Sequence, residues 1–126
     1  YYQMMRLRDI THGEMNIING PDEMLLMGLS AGADGGIGTT YNFMFDIIRG
    51  IYDNFVKGDI ETAREYQTRA IRIISVLLNY KIIPAAKAVL EAQGYAVGNA
   101  TFPMKRYSDE EKAIIVAQMK EAGLKI

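Results

Sequence analysis

Cysteine is absent from all 126 residues, which removes disulfides, thiolate metal sites and a cysteine nucleophile from the chemistry available here. Histidine is nearly absent as well. The only one, His12, stands in the polar turn Thr11-His12-Gly13 and reads as a solvated loop residue, not a catalyst. An excess of either charge is also missing: fourteen basic and fifteen acidic side chains leave a formal net charge of -1. No basic stripe is available to neutralise a row of phosphates, so nucleic acid is not an expected partner. No apolar run approaches the roughly 20 residues that cross a bilayer, and no membrane partner is expected. A charged-then-apolar leader is lacking too. The chain nevertheless opens on Tyr1 and continues Tyr2-Gln3-Met4-Met5-Arg6-Leu7-Arg8, which reads as the middle of an amphipathic helix. The start is therefore expected to be cut, and a missing leader carries little weight.

What is present is 49% hydrophobic content in a 14.1 kDa chain, enough to bury a core of one domain. Tyr2 to about Ile10 reads as the end of a helix, and Met15-Asn16-Ile17-Ile18 as a short buried strand stopped by Asn19-Gly20-Pro21. Asp22 to Ser30 repeats apolar residues at helical spacing. Ala33 to Ile37 suits a second buried strand, closely approached by another backbone. From there the pattern is helical: Tyr41 to Val56, closed by Lys57-Gly58, then a helix capped by Asp59. That helix carries Ala63, Tyr66, Ala70, Ile73, Ile74, Leu77 and Leu78 on one apolar face. Pro84 opens a further helix through Ala92. Ser108-Asp109-Glu110-Glu111 has capping-box spacing and opens a last one, closed at Gly123. Two short parallel strands do not make a stable sheet alone, so this order implies further strands from elsewhere.

Two polar segments stand out, Asn19-Gly20-Pro21-Asp22-Glu23 and Gly32-Ala33-Asp34-Gly35-Gly36-Ile37-Gly38-Thr39-Thr40-Tyr41-Asn42. Each ends a short apolar run and opens a helical one, as ligand-facing loops of a parallel β/α protein do. Asp22 and Glu23 offer two acceptors suited to a polyhydroxylated ligand. Equally, acids in a first helical turn offset the helix dipole by roughly 0.3–1 kcal/mol and need no ligand. The glycine run is not a phosphate cradle, because a Walker loop requires Lys before Ser/Thr and a dinucleotide fingerprint requires Gly-x-Gly-x-x-Gly. Tight packing and ligand access to bare backbone both remain open for it. The scattered Met and Tyr residues, Tyr41 included, read as core or interface.

The two segments together closely resemble the N-acetylneuraminate lyase (sialic acid aldolase) branch of the dihydrodipicolinate synthase superfamily, and the similarity runs over essentially the whole chain. Pro84-x-x-Lys87-x-x-Leu90 resembles the C-terminal helices of the wider superfamily. A dihydrodipicolinate synthase is expected to carry a Ser-Gly-Asp-Asp type first segment and a less glycine-rich second one. The resemblance implies an α/β fold: the C-terminal part of a (β/α)8 TIM barrel, with its last two strands and their helices over residues 1–56 and a C-terminal helical extension over 57–126. It implies substrate contacts at Gly20 through its backbone, at Asp22 and Glu23 through their carboxylates, and at Thr39, where family members more usually have Ser. It further implies Schiff-base aldol cleavage of N-acetylneuraminate to N-acetylmannosamine and pyruvate, without cofactor or metal, in a cytoplasmic homotetramer. The partners implied are small molecules, sialic acid and pyruvate. The catalytic Lys and Tyr are expected before residue 1, since Lys57, Lys81, Lys87, Lys105, Lys112, Lys120 and Lys125 all fall in helices or their connections. The alternatives are a related pyruvate-dependent aldolase or dehydratase, such as dihydrodipicolinate synthase, and, in another class, a non-catalytic helical interaction module.

Overall fold

Residues 1–126 are described in a computed structural model. They form, in order, α1 (Tyr2–Ile10), β1 (Ile18–Asn19), a 3-10 turn (Asp22–Met24), α2 (Leu25–Ser30), β2 (Gly35–Gly36) and a second 3-10 turn (Thr39–Asn42). The four helices α3 (Phe45–Val56), α4 (Ile60–Leu77), α5 (Ile82–Ala92) and α6 (Asp109–Glu121) complete the chain. Helix, strand, helix, strand and four helices is the order that hydrophobic periodicity predicts.

Both strands are shorter than the apolar runs that predict them. They pair in parallel, Ile18 opposite Gly35 and Asn19 opposite Gly36. At one end a side chain replaces a backbone rung: the Ile17 N–H donates to Asp34 Oδ2 at 2.8 Å, while the Asp34 N–H donates to Ile17 O at 2.8 Å. Met15 and Asn16 lie outside the strand and are exposed. Burial also differs from expectation. Ile17 and Asn19 are buried, but Ile18 is 47% and Ile37 71% exposed. Neither strand has a second neighbour in the sheet, and the covered side is the one facing α2.

Helix ends follow capping chemistry. Asp59 accepts from the Thr62 N–H at 3.0 Å, and Ser108 and Glu111 form a reciprocal capping box. Gly58, at φ +81°, closes α3 with its N–H on Phe55 O and the Asp59 N–H on Asn54 O, a Schellman arrangement. α5 starts at Ile82, two residues before the expected Pro84. A proline fits there because the first four N–H groups of a helix have no partner within it. The segment before α3 also differs, being a 3-10 turn and a break at Phe43 and Met44 where one continuous helix is expected.

One continuous core joins α2 to α6. It includes Leu25 and Leu29, Ile47 and Ile51, Ile73 and Leu77, Val89, and Ile115 and Met119. Leu78, placed on the apolar face of α4 by its spacing, is 62% exposed because the helix ends there. α1 buries no residue. It is tied down by Arg8, which donates from Nη2 to Asp34 at 2.8 Å and from Nε to Gly32 O at 3.1 Å. The Ile17 N–H, and then Arg8, hold the Asp34 carboxyl below the usual carboxylate range. No single helix is long and apolar enough to cross a membrane.

Candidate functional site

Because β1 and β2 run parallel, their carboxyl ends emerge along one edge and feed two neighbouring loops. Those loops are the predicted segments, and they meet at Asp22. The Thr40 N–H donates to Asp22 Oδ2 at 2.9 Å and the Thr40 hydroxyl donates to the same oxygen at 2.6 Å. Thr40 is buried and Asp22 half-buried. Hydrogen bonds to an ionised acceptor are roughly twice as strong as neutral ones, so this contact is the main tie between the loops. Gly38 makes room for it. Its backbone is extended, at φ -171°, but a Cβ there would stand 1.6 Å from Asp22 Oδ1. A Cβ on Gly36 would likewise stand 2.5 Å from the Tyr41 hydroxyl and 2.7 Å from Leu25 Cδ1. These two glycines are thus required by packing within the chain.

The other predicted residues face outward. Glu23 and Thr39 are exposed, and neither the Glu23 carboxylate nor the Thr39 hydroxyl hydrogen-bonds within the chain. Gly20 is exposed too, with nothing within 4 Å of the place its Cβ would take. Unlike Gly36 and Gly38, it has no packing reason in this chain to be glycine. Beneath the loops lie two buried polar atoms without partners, Asn19 Oδ1 and the Tyr41 hydroxyl. Asn19 holds the turn through its Nδ2, which donates to Pro21 O at 2.8 Å. Burial pushes the Tyr41 phenol up to about 12, with the Asp22 charge acting in the same sense, so it is neutral at ordinary pH.

Two residues that hydrogen-bond to the Asp22–Leu26 segment are missing from the sequence-based prediction. Thr40, and not its neighbour Thr39, holds Asp22. Gln67 of α4, 5% exposed, accepts from the Leu26 N–H at 2.9 Å through Oε1. It also donates from Nε2 to Asp22 O at 3.4 Å. A signal for Gln67 was available: it lies in helical register with Ala63 and Ala70, a polar residue inside an apolar stripe.

No lysine lies on β1, β2 or the two loops. Lys57 follows α3, Lys81 precedes α5, Lys87 donates to Val97 O from within α5, and the others lie in or beside α6. No three or more His, Asp or Glu side chains are grouped so as to hold a metal ion. A cleft of about 510 Å³ is lined by Phe45, Tyr66, Arg69 and Gln93, and one of about 520 Å³ by Tyr80 and Tyr107. Gly20, Asp22, Glu23 and Thr39 border neither cleft, and Gly20, Glu23 and Thr39 lie exposed along the rim of the two loops.

The model of the dihydrodipicolinate synthetase family matches residues 1–122. The chain belongs to that family. Within the family it is 39% identical over 114 residues to the N-acetylneuraminate lyase of Rhizobium meliloti (strain 1021), covering 89% of this chain and 38% of that protein. The N-acetylneuraminate lyase structure from Proteus mirabilis superposes with a TM-score of 0.88 at 29% identity, over 98% of this chain and 42% of that one. The Fusobacterium nucleatum N-acetylneuraminate lyase complexed with pyruvate gives 0.88 at 27% identity, over 98% and 42%. This family member thus spans about two fifths of the length of the relatives it matches. The resemblance carried by the two loop segments stands. The fold is an α/β fold resembling part of a TIM-barrel aldolase, mostly helical with a small parallel sheet.

Proposed function

We propose that these residues work as the C-terminal part of an N-acetylneuraminate lyase and hold the polyol tail of the sugar acid. Residues 1–56 then end the (β/α)8 barrel and 57–126 form its helical extension. The observation that carries this reading is the pair of loops latched through Asp22 and Thr40 at the carboxyl ends of two parallel strands. On that rim the Glu23 carboxylate, the Thr39 hydroxyl and the bare backbone of Gly20 are uncommitted. In parallel β/α proteins ligands bind at this end of the strands. Asp22 offers a ligand only part of its carboxylate, since Oδ2 already takes two bonds from Thr40, and so Glu23 is the principal hydroxyl acceptor.

The reaction proposed for the complete enzyme is Schiff-base aldol cleavage. A lysine amine condenses with the substrate ketone with loss of water, and the iminium takes up the electron pair of the breaking carbon–carbon bond. That lysine and the tyrosine assisting proton transfer are assigned to residues outside this chain, in keeping with the absence of lysine from the strands and loops. The same reading carries a cytoplasmic homotetramer. Glu23→Ala in the complete enzyme is expected to weaken turnover of N-acetylneuraminate while borohydride trapping of pyruvate stays intact. Loss of trapping would contradict a tail role.

Membership of the dihydrodipicolinate synthetase family keeps a second reading, a related pyruvate-dependent aldolase or dehydratase for a different sugar acid. Steady-state rates with N-acetylneuraminate against short sugar acids separate the two. A non-catalytic helical module, in contrast, predicts a soluble folded monomer from these residues alone. The outcome expected here is an insoluble or molten chain, because β1 and β2 pair only with each other and two short parallel strands do not make a stable sheet alone.

A further inference from the structure

The segment that carries Asp22 and Glu23 has no capping side chain of its own. Neither Pro21, before the 3-10 turn, nor Met24, before α2, caps a following N–H with its side chain. The first N–H groups of a helix have no partner within it, and leaving one buried and unpaired is costly. Leu26 is buried, and its N–H is met by Gln67, 41 residues further along the chain. The same amide group reaches the other end of the segment, donating to Asp22 O. Gln67 is itself 5% exposed and sits on α4 between buried Ala63 and Ala70, so its own place is set by the core.

We propose that Gln67 is a positioning residue for the sugar-tail rim, gripping the backbone from Asp22 to Leu26 at both ends and so aiming the Glu23 carboxylate. This rests on the reading of Glu23 as a tail contact. A buried amide with both its oxygen and its nitrogen engaged holds a segment more narrowly than an apolar residue of the same size, because hydrogen bonds constrain direction as well as distance. The helical part of the chain thereby sets the geometry of loops that precede it.

The test is made in the complete enzyme with Gln67→Leu, which keeps the size and removes both bonds, and Gln67→Glu, which keeps the acceptor for Leu26. For Gln67→Leu, kcat/KM for N-acetylneuraminate is expected to fall about tenfold, chiefly through KM, as when one binding interaction is lost. Rates with a short-chain aldol substrate and borohydride trapping of pyruvate are expected to stay within about twofold, the pattern of an effect confined to tail binding. The Leu26 amide is expected to exchange faster with solvent, and Gln67→Glu to recover part of both losses. Equal losses on long and short substrates, no change in their ratio, or failure of both variants to fold would each reduce Gln67 to a structural contact and overturn the proposal. A complete enzyme that does not cleave N-acetylneuraminate, or a Glu23→Ala variant with unchanged tail preference, defeats the site reading and this proposal with it. Those outcomes are recognisable without any Gln67 variant.

Discussion

The loops after β1 and β2 and the helices α3 to α6 are held together by different means. The helices bury Ile51, Leu77, Val89 and Ile115 to within 1% exposure, so their arrangement rests on apolar contact in many directions. The loops rest on a few directed bonds: Thr40 to Asp22, Asn19 to Pro21, and Gln67 to Leu26 and Asp22. Ile37, in the loop after β2, is left in water. The difference teaches where each kind of residue is needed. Packing builds a rigid base, and directed polar contacts on that base aim a small set of uncommitted groups outward.

Substitutions in the complete protein probe that contrast. The largest effect is expected from Leu77→Ala, which empties a fully buried position in the helical core. About 2–5 kcal/mol of stability should be lost, visible as a lower urea midpoint, with the whole molecule unfolding earlier. Next is Thr40→Val, which removes the hydroxyl bond to an ionised acceptor and keeps the shape. It should lower the free energy of local opening by about 1.5–3 kcal/mol, read as faster amide exchange at Thr40, while the urea midpoint moves less than for Leu77→Ala. A midpoint shift as large as that of Leu77→Ala would erase the contrast between the two regions. Ser108→Ala breaks the capping box of α6 and is expected to remove about 1 kcal/mol, seen in thermal unfolding. The smallest effect is that of Arg64→Ala on the exposed 2.7 Å pair with Glu61, a few tenths of a kcal/mol, about 0.5 at most, and one that vanishes in high salt.

Much of this organisation is legible in the amino-acid order. The caps at Asp59 and Ser108 and the turn at Gly58 fall where local chemistry puts them, because each bond involved spans only three to five residues. The two loop segments are also legible, as polar interruptions between apolar runs. Less so were the strand limits. The runs Met15–Ile18 and Ala33–Ile37 read as strands from their apolar and glycine content, but strand is defined by pairing: Met15 and Asp34 lie at bends, and only Ile18–Asn19 and Gly35–Gly36 pair. The role of Asp22 was only half visible. A carboxylate just past a strand reads equally as helix-start acid or ligand acceptor, and its bond to Thr40, eighteen residues away, has no local signature.

By itself the sequence determined the succession of elements, the apolar faces that build the core, and the loops that carry the candidate site, because periodicity and capping are local properties. Only the tertiary structure decided which side chains those loops spend on each other and which they leave exposed. It brought Thr40 to Asp22, made Gly38 obligatory and left Gly20 with no internal constraint. It also placed Gln67 of α4 under a segment that ends 41 residues earlier in the chain. The physical reason is distance along the chain: contacts between residues tens of positions apart exist only once a core has packed and fixed the directions in which their polar atoms point.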